Sequence, residues 1–525
     1  MTETVIDHVR QNAAMLEGYL NEAVTDQGRG AVLDKIEALT HEDFDFSSLS
    51  ESDAAHAARI LTCQSALQVI TEDVSQLGQI DTFKSFDGSI QPISLANAVR
   101  STVQEGLADA EIEGVLKGLL ASPVFTAHPT EMRRASVVER EYEIATLLQQ
   151  YEKVTSPAER AQIEDDLYRA VSLLWGTRLN RPERITVQDE INNLLGVVKR
   201  SILPALVTLY NEWGRDIPHD GALPNILKLG SWIGGDRDGH PHVDDVTLNY
   251  AFKEQAKVAF AFYAQQPDKL DTELTVSDEV TEVTEALNDL ARKSLSTDIH
   301  RIDEPYRRAL SHIKLRLAHT RAKTLGEAVI NGASAAPPYE TCDAFARDLR
   351  IIRDSLTGHG GRRMIGRTLK TLIRIARSCG FHLMALDLRQ NSDVHERVIA
   401  ELYTHSSELV DYLGMSESER CSLLFAELTT DRLLRWEFAK YSDETRKELR
   451  IVDAAAQLIK AFGPEAFGAY IISKAASVSD ILEPLVLPKQ AGLVRGGPQP
   501  HTMIKISPLF ETIGDLEAAP DIMKK

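Results

Sequence analysis

Cysteine is scarce in this chain of 525 residues. The four cysteines, Cys63, Cys342, Cys379 and Cys421, are far apart in sequence. This spacing excludes the Cys-x-x-Cys pairs of zinc and dithiol redox sites. Scattered thiols in a chain of this size are typical of a reducing compartment, so we predict a cytoplasmic protein.

The chain also lacks an excess of positive charge and long apolar runs. Its 58 basic residues face 78 acidic ones, for a net charge of -20. This balance argues against nucleic acid as a partner, because phosphate backbones need a basic surface. No apolar run approaches the ~20 residues that span a bilayer. The first residues lack the basic and apolar regions of a signal peptide. We therefore expect no nucleic-acid or membrane partner.

Several short apolar runs end abruptly in charged residues, as buried parallel strands do where they leave a barrel. These runs lie at 124–131, 230–241, 381–390, 470–474 and 503–511. Between them, apolar residues recur at helical spacing. The pattern predicts helices over 97–120, 133–153, 304–325, 364–378 and 435–462. The predicted fold is a helix-rich α/β chain: a TIM-like parallel β/α barrel with long helical insertions.

One histidine and one loop stand out at the ends of these runs. His128 precedes Pro129, which ends a strand, so its imidazole would be fixed where protons could be transferred. The alternative is a hydrogen-bonded strand-end histidine without a function. In the loop, Asp236 and Asp238 flank Arg237, and glycines permit tight turns.

A second set of candidates lies in and after the later strands. Arg389 could clamp a carboxylate or phosphate with two parallel hydrogen bonds. Its alternative is an ion pair with Asp387 or a neighbouring acid. Glu511 could hold Mg²⁺, although a second carboxylate is expected and a solvated or ion-paired glutamate is the alternative. His240 and His242 form a weak candidate metal pair.

In combination, these segments resemble the phosphoenolpyruvate carboxylase family. The matching segments follow the family's order and extend over essentially the whole chain. They are Thr126–Glu131, Gly230–Gly239, Glu304–Arg307, Leu386–Gln390, Ile472–Ala475 and Pro508–Thr512. The family usually has Asn-Pro after the position of Gly239, where this chain has His240-Pro241, so the resemblance assigns His240 no role.

The resemblance implies an activity and its residues. The enzyme forms oxaloacetate and phosphate from phosphoenolpyruvate and bicarbonate, with Mg²⁺ or Mn²⁺, in anaplerotic carbon fixation. His128 matches the catalytic histidine of the carboxylation step, and Arg389 matches an arginine that binds phosphoenolpyruvate. Glu511 matches one of two metal-binding carboxylates. Trp232 and Leu509 match the apolar wall that holds CO2.

The resemblance also implies that part of the family's pattern is absent. Family members continue for several hundred residues after the position of Glu511, with a second metal-binding aspartate, a catalytic lysine and an Arg-Gly-Gly phosphate loop. Roughly five of eight barrel strands can be placed here, so we expect the barrel to be incomplete in this chain. We predict a single domain over residues 1–525, with a mainly helical lead-in at 1–120 and the barrel strands at 121–525.

Several interpretations stay open. The chain could be the amino-terminal part of a truncated carboxylase, or an enzyme completed by a second, carboxy-terminal chain. It could also be a non-catalytic paralogue that pairs with an intact enzyme. Family members are homo-oligomers, tetramers among them. Outside the family, a metal-dependent barrel hydrolase using His240 and His242 would contain zinc.

Overall fold

The computed structural model describes residues 3–38, 49–85, 95–126, 133–180, 185–216, 225–240, 242–328, 336–406, 410–497 and 499–525. The chain divides into two compact units. One comprises Met1–Glu105 and His128–Ile185, and the other Gly106–Ala127 and Thr186–Lys525.

The first unit is built from helices in its described residues. They are α1 (Glu3–Asp26), α2 (Gly30–Ala38), α3 (Glu51–Ser85), α4 (Leu95–Gln104), α6 (Ala135–Lys153) and α7 (Pro157–Gly176). Helices α1 and α6 each pack against α3 and α7. Leu16 and Leu20 on α1, like Ile144 and Leu148 on α6, are fully buried at a spacing of four residues. This spacing gives each helix one apolar stripe, which faces the core.

The second unit contains the strands and most of the helices. Its helices are α5 (Asp109–Gly118), α8 (Val187–Val197), α9 (Leu203–Asp216), α10 (Asp245–Glu273), α11 (Glu285–Arg292), α12 (Pro305–Leu325), α13 (Cys342–Gly358), α14 (Arg367–Cys379), α15 (Ser392–Ser406), α16 (Glu417–Leu428), α17 (Asp443–Phe462), α18 (Ser479–Lys489) and α19 (Ile513–Ile522). Its strands are β1 (Val124–Phe125), β2 (Gly230–Ser231), β3 (Ala385–Asn391), β4 (Phe467–Ser473), β5 (Val494–Arg495), β6 (His501–Thr502) and β7 (Ile506–Pro508).

Five of these strands form one parallel sheet in the order β1-β2-β3-β4-β7. The remaining two, β5 and β6, form an antiparallel ribbon between β4 and β7 in the chain. Every neighbouring pair in the larger sheet is parallel, so the carboxyl ends of its strands meet along one edge. The predicted helix-rich α/β class with a parallel sheet is confirmed. Polar side chains that follow these strands are thereby brought to the same edge.

The two longest strands show why the sheet forms. Tyr470 and Ile472 of β4 are completely buried, and Leu386 and Leu388 of β3 are almost so. Such nearly continuous apolar runs are typical of parallel strands that are covered on both faces. These strands share one core with α10, in which Phe252 is also fully buried. The core therefore anchors the strands that carry the site.

Most of the predicted helices are present, and two differ in extent. The helix predicted over 97–120 is divided into α4 and α5, because Gly106 between them has a φ of +92°, which no helix accommodates. The helix predicted over 435–462 begins only at Asp443. There Ser442 accepts a hydrogen bond from the Thr445 N–H and so caps the helix.

The four cysteines carry free thiols. Burial raises the pKa of Cys63 to about 11 and that of Cys379 to about 12, so both thiols stay protonated near neutral pH. Among the helices of the described ranges, none is long and apolar enough to cross a membrane.

Candidate active site

The loop after β2 runs alongside β3 at the carboxyl edge of the sheet. The Arg389 N–H donates to the Gly235 carbonyl (3.0 Å), and the Arg237 N–H donates to the Arg389 carbonyl (2.9 Å). A Cβ at Gly235 would lie 2.1 Å from the Asp387 carbonyl oxygen. Glycine is therefore required here, because a larger residue would push the loop away from β3.

This loop holds the Arg389 side chain between carboxylates. The Arg389 Nη1 lies 2.9 Å from the Asp236 Oδ2, and its Nη2 lies 2.8 Å from the Asp238 Oδ2. The Glu511 Oε1 lies 3.6 Å from the same Nη2. One positive charge is thus surrounded by three negative charges, a net charge of −2. The Arg389 Nε is buried and has no hydrogen-bond partner among the described residues, so one donor stays available.

The Trp232 ring forms a wall beside this arginine. The Arg389 guanidinium lies 5.0 Å from the ring centroid, within the range of a cation–π contact. The Trp232 indole N–H donates to the Asp387 Oδ2 (2.9 Å), and the Ala469 N–H donates to the Asp387 Oδ1 (2.7 Å). Burial raises the pKa of Asp387, and these two hydrogen bonds oppose the rise. Asp387 therefore orients the ring and does not pair with Arg389, whereas the predicted alternative of an ion pair with a neighbouring acid is confirmed by Asp236 and Asp238.

The structure brings three of the predicted site residues together: Trp232, Arg389 and Glu511. Leu509 is half-buried beside β4, where its N–H donates to the Ile472 carbonyl (2.9 Å). The fifth residue, His128, lies outside the described residues.

The histidine pair of the loop has no metal-binding partners in the described part of the chain. The rings of His240 and His242 lie 6.1 Å apart in an edge-to-face arrangement. Across the described ranges, no group of three Asp, Glu, His or Cys side chains comes together as a metal-ligand set. The described residues thus do not support the zinc hydrolase alternative.

Comparison with known proteins identifies the family. A family model described as phosphoenolpyruvate carboxylase matches residues 10–525. The phosphoenolpyruvate carboxylase of Caulobacter vibrioides is 43% identical over 99% of the chain and 59% of its own length. This chain belongs to the phosphoenolpyruvate carboxylase family. The phosphoenolpyruvate carboxylases of Paraburkholderia xenovorans and Burkholderia mallei (strain SAVP1) are 35% and 36% identical, over 98% and 96% of the chain. The chain spans 55% and 54% of their lengths.

Carboxylases of this family are generally metal-dependent, and two described carboxylates beside Arg389, those of Glu511 and Asp238, suit an ion that is held by few protein ligands. Mg²⁺ is commonly held by one or two carboxylates, with water and substrate oxygens completing its octahedron. The Glu511 side chain is 33% exposed, and Glu511 and Asp238 both approach the same Arg389 nitrogen. The surplus negative charge of this cluster favours a cation.

The sequence allowed an ion pair between Arg389 and a neighbouring acid but did not identify which acids hold it. Asp236 and Asp238 were recognised as flanking Arg237, but their pairing with Arg389 depends on the alignment of the loop with β3. Glu448 on α17 and Tyr470 on β4 bind Arg237 and carried no sequence signal. They come from distant parts of the chain, and a lone buried glutamate in a helix looks like any other helical glutamate.

Proposed function

We propose that the chain carries the phosphoenolpyruvate-binding side of a phosphoenolpyruvate carboxylase active site. The enzyme would form oxaloacetate and phosphate from phosphoenolpyruvate and bicarbonate. Family membership supports this reaction. The observation that carries the proposal is Arg389, held at the carboxyl edge of a parallel sheet with one buried N–H unpaired. Ligands of α/β proteins bind at that edge.

The proposed fold is a TIM-like β/α barrel with long helical insertions. The order of the five parallel strands supports this fold, because they lie in the sheet in the same order as in the chain. In such a barrel, consecutive strands are neighbours. We further propose that residues 1–525 belong to one domain of the family type. The family model, which matches residues 10–525, supports this.

Arg389 is proposed to bind the phosphate of phosphoenolpyruvate. A guanidinium pairs with phosphate through parallel charge-assisted hydrogen bonds, and the free Arg389 Nε supplies one donor. The nitrogens that face Asp236 and Asp238 would have to share their hydrogen bonds with the phosphate. Because the cluster has a net charge of −2, an anionic substrate needs an added positive charge nearby.

Glu511 is proposed to hold Mg²⁺ or Mn²⁺, with Asp238 as the nearest further carboxylate. When bound, the ion supplies the positive charge that stabilises the phosphate and the developing enolate oxygen.

Trp232 and Leu509 are proposed as the apolar wall for CO2. The Trp232 ring is fixed by its hydrogen bond to Asp387 and so keeps its apolar face in one place. In the proposed reaction, a bicarbonate oxygen attacks phosphorus, giving carboxyphosphate and the enolate of pyruvate. Carboxyphosphate releases CO2 and phosphate, and the enolate carbon attacks CO2. A dry wall matters because water would protonate the enolate to pyruvate. His128 is proposed from the resemblance alone as the catalytic histidine of this carboxylation.

The proposal is tested by measuring bicarbonate-dependent oxaloacetate formation from phosphoenolpyruvate and Mg²⁺. The 525-residue chain is assayed alone, and again with the part of the Caulobacter vibrioides relative that lies outside the matched stretch. We expect oxaloacetate in at least one arm, and less of it when Arg389 is replaced by alanine. Absence of oxaloacetate from both arms would contradict the proposed activity.

A second candidate is a subunit that pairs with another chain. The exposed apolar side chains of α19 and of Met523, which directly follows it, favour this candidate, since Ile513, Leu516 and Met523 are each more than half exposed. The partner would be a complementing carboxy-terminal chain or further copies in a homo-oligomer. The free thiols support a cytoplasmic location for either candidate. Sedimentation analysis distinguishes the two partners. A mass above that of one chain for the chain alone indicates further copies, and a larger mass only with the complementing segment indicates the second chain.

A further inference from the structure

Arg237 is a buried charge in the middle of the site loop. Its side chain is 1% exposed. Burying a guanidinium is costly unless it is paired and hydrogen-bonded, so a buried arginine at this position requires partners. Arg237 does not face the substrate edge that its neighbours Asp236 and Asp238 face.

Two distant elements supply partners for the Arg237 side chain, and its Nη1 also donates to the Gly235 carbonyl of its own loop (3.4 Å). Its Nη2 lies 3.1 Å from the Glu448 Oε2 of α17 and donates to the Tyr470 hydroxyl of β4 (2.7 Å). Its Nε donates to the Glu448 Oε1 (3.3 Å), and the Gln390 Nε2 donates to the same oxygen (2.9 Å). Two parallel bonds to one carboxylate fix the direction of the guanidinium.

A neutral histidine completes this network. The His395 Nε2 lies 2.8 Å from the Tyr470 hydroxyl. Burial, with help from the Arg237 charge, lowers the pKa of His395 to about 3, so the imidazole is uncharged near neutral pH. Although burial acts to lower the pKa of Arg237, the nearby Glu448 and Tyr470 raise it overall, so Arg237 stays charged.

The backbone connects this anchor to Arg389. Asp236 forms a parallel bridge with Arg389, and the Arg237 N–H donates to the Arg389 carbonyl. The Asp236 and Asp238 side chains contact the Arg389 guanidinium on one side of the loop. The Arg237 side chain between them is buried and contacts Glu448 instead.

We propose that Arg237 is a positioning residue for substrate binding. Its hold on Glu448 and Tyr470 fixes the loop, and the loop holds Asp236 and Asp238 against Arg389. The consequence for catalysis rests on the proposed function, in which Arg389 binds the substrate phosphate.

Arginine modification by phenylglyoxal tests the proposal without requiring turnover. The modification rate of Arg389 is measured by peptide mass spectrometry in the full chain and in Arg237→Met and Arg237→Lys. Arg316→Met is the matched control, since Arg316 also pairs with a carboxylate, that of Asp348 (2.8 Å), and lies over a tyrosine ring (3.9 Å). In Arg237→Met, we expect phenylglyoxal to modify Arg389 on the order of tenfold faster, because the charge-assisted hydrogen bonds from Arg389 to Asp236 and Asp238 are loosened. Arg237→Lys should restore protection in part, and Arg316→Met should leave Arg389 unchanged.

A double variant separates positioning from stability. Arg237→Met with Glu448→Leu removes the whole buried pair, a change that is often neutral or stabilising. If Arg237 positions the loop, phenylglyoxal should still modify Arg389 rapidly in this double variant, even though its unfolding midpoint returns to that of the unchanged chain. Protection of Arg389 that returns together with stability would overturn the proposal. The proposal would also be overturned if Arg237→Met raised the modification rate of Arg316 as much as that of Arg389. The same holds if all three Arg237 variants failed to fold, since Arg237 would then serve stability alone.

Phosphoenolpyruvate distinguishes failure of this inference from failure of the proposed function. In the unchanged chain with Mg²⁺, phosphoenolpyruvate should protect Arg389 from phenylglyoxal. Faster modification in Arg237→Met without such protection keeps the positioning role and contradicts the substrate assignment. Protection in the unchanged chain, with no acceleration in Arg237→Met, keeps the substrate assignment and contradicts the positioning role.

Discussion

Replacing Gly235 with alanine should displace the loop that holds Arg389. A Cβ built at Gly235 lies 2.1 Å from the Asp387 carbonyl oxygen, whereas real Cβ atoms essentially never come closer than 3.0 Å. The backbones must therefore separate by about 0.9 Å. The carbonyl of Gly235 accepts the Arg389 N–H, so the separation acts directly on the strand that carries Arg389.

Two effects are expected, one on stability and one on the affinity for phosphoenolpyruvate. Overpacking of this kind costs about 1–3 kcal/mol of unfolding free energy. A displaced Arg389 should lose one charge-assisted hydrogen bond to the substrate phosphate, which corresponds to about 1.5–3 kcal/mol. The affinity for phosphoenolpyruvate should therefore fall by roughly tenfold or more. Urea unfolding measures the first effect, and calorimetric titration with phosphoenolpyruvate and Mg²⁺ measures the second.

Gly114→Ala is the control for this substitution. Gly114 lies within α5, and among the described residues no atom lies within 4 Å of a Cβ built there. Alanine in a helix interior should stabilise by up to about 1 kcal/mol and leave the affinity unchanged. If Gly235→Ala unfolded at the same urea concentration as the unchanged chain and bound phosphoenolpyruvate equally well, the close approach of loop and strand would be refuted.

Three further substitutions test other parts of the account. Burial raises the pKa of Glu483 to about 8, from 4.5, against the opposing hydrogen bond from Tyr412. Because the folded state binds this proton more tightly, the raised pKa stabilises the fold below about pH 4.5, and this contribution is lost as the pH rises towards 8. The free energy of unfolding should therefore fall by about 4 kcal/mol between pH 5 and pH 8 in the unchanged chain. In Glu483→Gln, which cannot titrate, urea unfolding should show no such fall. Glu511→Gln should weaken Mn²⁺ binding, followed by electron paramagnetic resonance, and unchanged Mn²⁺ affinity would remove Glu511 from the metal site. His128→Asn should abolish oxaloacetate formation while phosphoenolpyruvate and metal still bind, and normal turnover would refute its role.

The sequence predicted those parts of the fold that depend on local patterns. The apolar runs that became β3 and β4 were recognisable because both faces of these strands are buried, which leaves few polar residues in them. The break between α4 and α5 was missed because apolar periodicity continues through Gly106, whose positive φ ends the helix. The order of the strands needed the structure, since periodicity does not say which strands pair.

The site was predictable in its residue types and not in its contacts. The sequence left open whether Arg389 binds an anion or pairs with a neighbouring acid, and the structure places Asp236, Asp238 and Glu511 around it. These ion pairs form because three segments that are far apart in the chain lie side by side in the fold. Local sequence patterns do not show which distant segments meet. Arg237 shows the same limit, because its partner Glu448 lies 211 residues away.

Binding of phosphoenolpyruvate to Arg389 is the central claim, and titration calorimetry tests it most directly. The full chain with Mg²⁺ is titrated with phosphoenolpyruvate and compared with Arg389→Ala, and with Arg292→Ala as a control at an exposed arginine. The account predicts saturable binding that is weakened at least about tenfold in Arg389→Ala and unchanged in Arg292→Ala. Equal binding by the unchanged chain and Arg389→Ala, or no binding by the unchanged chain, would contradict it.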